Sequence, residues 1–220
     1  MRILIGFFFK ALAFLVSALP RRVRLFMGDV VGFLWFDVLR IRRKVAVDNV
    51  RLAYPSMNEE EATRIARASL HSMGRSLVEY CMFPFLTHTK VEKTFRIHGR
   101  EIVDKAFQEG KGAIFLTLHL GNGDYSIAAL SALGIRVHLI SKEFNLQWLN
   151  DLWFGMRRKR GTKFISPEKS SFEILRALKN NDAVIFVLDQ FMGPPIGVRT
   201  RFFGVETGTA MGCALIADRT

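Results

Sequence analysis

Between residues 112 and 203 short, continuous apolar runs alternate with longer helical patterns, and few folds accept that alternation. The runs are Gly112–His119, Ile135–Ile140, a weaker Thr162–Ile165 and Ala183–Leu188, with Arg199–Phe203 as a fifth candidate. Helical patterns over Asp124–Leu133, Leu146–Lys159 and Ser170–Asn180 lie between them. A strand that is apolar throughout has to be covered on both faces, and strands joined through helices pair in parallel. The expected fold class is therefore α/β, a largely parallel sheet covered by helices.

The first quarter of the chain reads differently. Residues 1–54 form apolar helical stretches interrupted by Pro20 and by two basic clusters, Arg21, Arg22 and Arg24, then Arg40, Arg42, Arg43 and Lys44. Ile3–Leu19 is apolar apart from Lys10. It falls close to the roughly 20 residues that a span requires. It is expected to be an uncleaved anchor, either one short span or a helix lying in the membrane interface. Val23–Leu39 is apolar on all faces and should be buried in protein or in lipid. After the break at Tyr54-Pro55, Ser56 and Glu59 form a capping box for a long amphipathic helix reaching about Met82. The expected organisation is a membrane-associated helical segment over 1–54 and an α/β domain over 55–220. The final apolar helix, Ala214–Thr220, carries no stop signal, so the α/β domain is expected to be incomplete at its C-terminal end.

The net charge of +12 admits two polyanionic partners, nucleic acid or an anionic membrane. The basic residues flank apolar helices instead of alternating with aromatics, which excludes nucleic acid and favours a membrane surface. Phe contributes 20 residues and Tyr only 3, a choice of aromatic that suits lipid contact or a dry interior. The two cysteines, Cys81 and Cys213, stand in no C-x-x-C arrangement, so neither a disulfide framework nor a zinc site is expected. No cofactor or metal is implied.

His119 closes the first strand, and Gly121-Asn-Gly123 follows at once. Sites in open parallel sheets form beyond the carboxyl ends of strands. Asp124 lies five residues on, and the glycines permit the turn that would return its carboxylate to the imidazole. In that arrangement neutral His119 takes the proton of an attacking hydroxyl, while Asp124 fixes the tautomer. His71, His88, His98 and His138 lack that setting and read as structural. Asp189 and Gln190 follow the strand Ala183–Leu188 at the same edge, and a Gly/Pro loop leads on to Arg199 and Arg201. With Arg157, in the basic run Arg157–Gly161, these form the candidate substrate-binding set, with the arginines placed for an anionic headgroup or donor phosphate.

These residues resemble the bacterial lipid A biosynthesis (late lauroyl/myristoyl) acyltransferases of the lysophospholipid acyltransferase superfamily. The likeness runs from Leu19-Pro20 through Arg42-Arg43, Asn49–Pro55, Gly74 and Glu79 to His119–Asp124. It continues through Arg157 and Gly161 to Asp189–Gly204. It implies transfer of a fatty acyl chain from acyl-carrier protein or acyl-CoA onto a hydroxyl of a membrane glycolipid. It also implies His119 as base, Asp124 as its support, and a position at the cytoplasmic face of the bacterial inner membrane. Asp124 stands where many lipid A enzymes carry Glu, and Gly123 where the family often has a bulky aromatic. The resemblance leaves two rival readings: an acyltransferase directed at lysophospholipid, and a non-enzymatic membrane adaptor that keeps the fold.

Overall fold

The computed structural model describes residues 2–159, 161–167 and 170–220. It contains two compact units. One comprises the chain up to Phe85 together with Arg199–Gly208, and the other Leu86–Val198 with Thr209–Thr220.

The first unit is mainly helical, with α1 over Arg2–Ala18, α2 over Arg21–Phe33, α3 over Arg43–Ala53 and α4 over Glu59–Tyr80. Pro20 precedes α2, and the Arg24 guanidinium donates back to the carbonyls of Ser17 and Leu19, which α1 leaves unpaired. A π-helical turn, Leu34–Val38, extends α2 and drives Phe36 into a core with Val47, Ala62 and Ala66. Val23–Leu39 is therefore buried along one side only. Phe26 and Leu39 on other faces are 67% and 64% exposed. The capping box at the start of α4 lies two residues later than Ser56. Asn58 Oδ1 accepts from the Glu61 N–H at 2.9 Å, and the Glu61 carboxylate accepts from the Asn58 N–H at 3.2 Å. Asn is as good a cap as Ser, and Glu61 is the acid at the spacing it requires.

α2 and α4 touch backbone to backbone. A Cβ added at Gly74 would lie 2.4 Å from the Gly28 carbonyl oxygen, and one at Gly32 would lie 2.5 Å from His71 Cα. The signal was present in the sequence, because Gly28 and Gly32 share one helical face. Asp29 flanks this contact and binds Arg75 in a two-pronged pair, at 2.7 and 2.9 Å. The Arg75 hydrogen bond is the main reason that the Asp29 carboxyl is held below its ordinary value. Gly74→Val is expected to force these helices apart and to cost about 3 kcal/mol. Thermal unfolding should then move down by roughly 6–12 °C; an unchanged midpoint would mean that the contact is not tight in solution.

No helix among the described residues is long and apolar enough to cross a membrane. α1 rises only about 26 Å at 1.5 Å per residue, short of the ~30 Å hydrocarbon core.

The second unit is the α/β part. Strands β1 (Ala113–Thr117), β2 (Val137–Ile140), β3 (Thr162–Ile165) and β4 (Ala183–Val187) form one parallel sheet in the order β1-β4-β2-β3. Helices α5 (His88–Thr94), α6 (Arg100–Gln108), α7 (Gly123–Ala132), α8 (Gln147–Arg158), α9 (Ser170–Lys179) and α10 (Gly212–Ala217) surround it. β4 shows why its run is apolar without alternation. Val184 and Phe186 pack with Ile174 and Leu178 of α9. Ala183 and Ile185 share the other core with Phe107 of α6 and with Ile127 and Leu130 of α7. At the amino edge of the sheet Asp182, 2% exposed, is paired with Arg136 and with His138 Nε2 at 2.9 Å.

The fifth candidate strand does not join this sheet. β5 (Gly197–Phe202) pairs instead with β6 (Val205–Ala210) in a separate two-stranded sheet. Phe203 and Gly204 make the connection with φ of 50° and 77°. Two residues at positive φ form the hairpin turn that matches strand twist, and a two-residue link excludes parallel pairing. β6 reads Val-Glu-Thr-Gly-Thr-Ala, too polar and glycine-broken to stand out as a strand.

Candidate active site

β1 and β4 are neighbours in register, with Thr117 opposite Val187. Two residues further along each chain stand His119 and Asp189. They meet directly: His119 N–H donates to Asp189 Oδ2 at 2.8 Å, and His119 Nδ1 lies 2.8 Å from Asp189 Oδ1. The Asp189 carboxyl is held below its ordinary value. Burial alone would raise it, but the backbone N–H and the ring of His119 outweigh that effect. An ionised carboxylate only accepts hydrogen bonds, so Nδ1 carries the proton and Nε2 the lone pair. The His119 side chain is 59% exposed, and Nε2 makes no hydrogen bond among the described residues. The site therefore presents an oriented, accessible imidazole.

Asp124 occupies the first turn of α7, where a carboxylate suits the helix dipole. Asn122 caps that turn, its side chain accepting from the Tyr125 N–H at 3.4 Å. Asp124 does not bind His119. Both of its oxygens accept from Arg157, one from Nε and the other from a terminal nitrogen at 2.6 Å. Asp124 and Arg157 are 8% and 9% exposed. The Arg157 guanidinium also lies 4.0 Å over the Trp153 ring. The expected His119–Asp124 bond is thus replaced by two separate pairs, His119–Asp189 and Asp124–Arg157. A buried carboxylate needs a buried cation, and the last turn of α8 supplies one.

Three further expectations are placed by this arrangement. Asp189, expected to contact substrate, hydrogen-bonds His119. Arg157, expected in the same set, is buried against Asp124; Arg160 of the same basic run lies outside the described residues. Gln190 is exposed beside Asp189, while Arg199 and Arg201 are exposed on β5 in the first compact unit. Asn150 was not legible as a site residue: its buried side chain holds the backbone of Phe144 beyond β2. Nothing in sequence marks one Asn of a helix as reaching back to a loop.

The model of the bacterial lipid A biosynthesis acyltransferases matches residues 1–220. The chain belongs to that family. A lipid A biosynthesis palmitoleoyltransferase of Escherichia coli is 28% identical over 194 residues, covering 86% of this chain and 61% of the relative. A lipid A biosynthesis lauroyltransferase of the same organism is 27% identical over 207 residues, 90% of this chain and 65% of the relative. A phosphatidylinositol mannoside acyltransferase of Mycobacterium tuberculosis is 26% identical over 158 residues, 70% and 50% of the two chains. The chain thus spans about three-fifths of the length of the lipid A relatives that it matches.

Proposed function

We propose that this lipid A acyltransferase family member moves a fatty acyl chain from a thioester of acyl-carrier protein or coenzyme A onto a hydroxyl. The acceptor is a lipid A precursor or a related membrane glycolipid. The observation that carries the reading is the His119–Asp189 pair at the carboxyl edge of the sheet, with the lone-pair nitrogen accessible. His119 Nε2 removes the proton of the acceptor hydroxyl as its oxygen attacks the thioester carbonyl. The C–O bond forms, the C–S bond breaks, and the proton passes from the imidazolium to the leaving thiolate. Asp189 holds the tautomer and stabilises the imidazolium. Asp124 and Arg157 tie α7 to α8 and so shape the loop that carries His119. Gln190, exposed in the α/β unit, is available to substrate, and Arg199 and Arg201, exposed on β5 of the other unit, are available to an anionic group.

The same reading assigns the enzyme to the cytoplasmic face of the inner membrane. Support comes from Phe14, Leu15 and Phe26 on α1 and α2 and from Leu39 just after the π-helical turn, all at least 60% exposed, with the exposed Arg21, Arg22, Arg40 and Arg42 close by along the chain. Exposed apolar side chains with basic residues close by along the chain suit helices lying in the interface of an anionic membrane. The test is an assay of the full chain with dodecanoyl acyl-carrier protein, dodecanoyl-CoA and an under-acylated lipid A precursor in mixed micelles. A product heavier by one acyl group is expected. Acylation of lysophospholipid alone would reassign the acceptor, and no transfer from either donor would overturn the reading.

A further inference from the structure

Phe144 lies in the segment that leaves β2. β1, β2 and β4 run parallel, so the segments carrying Phe144, His119 and Asp189 emerge at one edge of the sheet. The Phe144 ring is part of an exposed residue, 41% accessible. Such a side chain gains little from folding, and loop backbone of this kind is usually free to vary. Here both backbone groups are held. The Phe144 N–H donates to Asn150 Oδ1 at 2.7 Å, and the Phe144 carbonyl accepts from Asn150 Nδ2 at 2.8 Å. Only one orientation of the amide satisfies both bonds. Asn150 itself is 5% exposed, in the first turn of α8.

The ring is braced as well as tethered. It meets Trp153 edge-on at 6.1 Å and Phe154 at 6.3 Å. Trp153 in turn lies beneath Arg157, which binds Asp124. Phe144 is thus referenced to the helix that anchors Asp124. Its open face has apolar company at the same edge. Leu146 is 54% exposed, Leu120 next to His119 is 82% exposed, and Phe191 two residues after Asp189 is 74% exposed. A buried Asn whose amide is given wholly to fixing the backbone of an exposed Phe, at the sheet edge that carries His119, points to a ring that awaits an apolar ligand.

We propose that Phe144 contacts the fatty acyl chain of the donor and that Asn150 is the positioning residue that holds it in place. The inference rests on the acyl-transfer reading above. It is tested with the full chain and with acyl-carrier protein charged with octanoyl, dodecanoyl or hexadecanoyl chains. Phe144→Ala is expected to raise KM for the dodecanoyl donor about tenfold, the loss of one partly buried phenyl contact. kcat should stay within about twofold, because the base and its acid are untouched. The rise should be smaller for octanoyl, whose chain reaches less of the ring. Asn150→Ala should reproduce the KM change, and the double variant should be no worse than Phe144→Ala alone, since Asn150 acts through the ring. Multiplying effects, or a Phe144→Ala enzyme with unaltered KM at every chain length, would overturn the inference while leaving acyl transfer intact. If Asn150→Ala fails to fold, the exposed Phe144→Ala variant still decides. A wild-type chain inactive with all three donors would overturn both readings together.

Discussion

Acyl transfer is expected to fall about 10²–10⁴-fold when His119 is replaced by Ala, the usual loss on removing a positioned general base. Binding to anionic vesicles should be unchanged, because the exposed apolar residues and arginines of the N-terminal helices are untouched. Asp189→Asn should cost nearly as much. It keeps the shape of the side chain, but its amide can donate to Nδ1 and place the proton on the wrong ring nitrogen. The two losses should not multiply, because both residues serve one proton transfer. Asp124→Asn separates this arrangement from one in which Asp124 is the acid of the pair. If Asp124→Asn abolishes transfer in a folded protein while Asp189→Asn remains active, Asp189 is not the orienting group. The acid behaviour provides an independent readout. The Asp189 pKa is lower in the folded chain than the ordinary 3.8. Its contribution to stability is therefore fully present above about pH 4 and is lost as pH falls through the lowered folded value. Asp189→Asn should remove that part of the acid limb from urea-unfolding curves recorded between pH 5 and 2.

The second large effect is structural. Arg157→Ala removes the two guanidinium hydrogen bonds from a carboxylate that is 8% exposed. Removing one partner of a buried ion pair typically costs about 3–5 kcal/mol. At this chain length the unfolding midpoint should drop by roughly 6–20 °C. Arg157→Ala also takes a cation from the face of Trp153, which adds to the loss. Replacing both partners by apolar residues, Asp124→Leu with Arg157→Met, should be less damaging than Arg157→Ala, since the carboxylate and the guanidinium are removed together. A drop below about 1 kcal/mol for Arg157→Ala would sink the claim that the pair is desolvated. Arg157→Lys should recover only part of the stability, because an ammonium cannot match both carboxylate oxygens as the planar fork does.

Much of the fold was legible. The four apolar runs became the four strands of the parallel sheet, within a few residues at each end. That legibility has a local cause: a strand covered on both faces shows itself as an uninterrupted apolar segment, and Gly and Asn mark its ends. β6 escaped because its residues are polar, and the hairpin depends on the φ values of Phe203 and Gly204. The Asn58 cap was displaced from Ser56 because two overlapping capping patterns compete within six residues.

For the site, the sequence by itself determined which groups stand at the carboxyl edge: His119 and Asp124 just past the first strand, Asp189 and Gln190 just past the fourth. It also singled out His119, with its glycines, as the candidate among the histidines. The partner of that histidine was decided only by the tertiary structure. Asp124 is the nearer acid along the chain, but β1 lies beside β4 in the sheet, which brings residues 70 positions apart into hydrogen-bonding distance. Strand order is set by how helices and strands bury their surfaces together, and no local pattern encodes it. The same packing brought Arg157 to Asp124 and Asn150 to Phe144. The histidine at the sheet edge was thus written in the chain, and the acid that hydrogen-bonds it was chosen by the sheet.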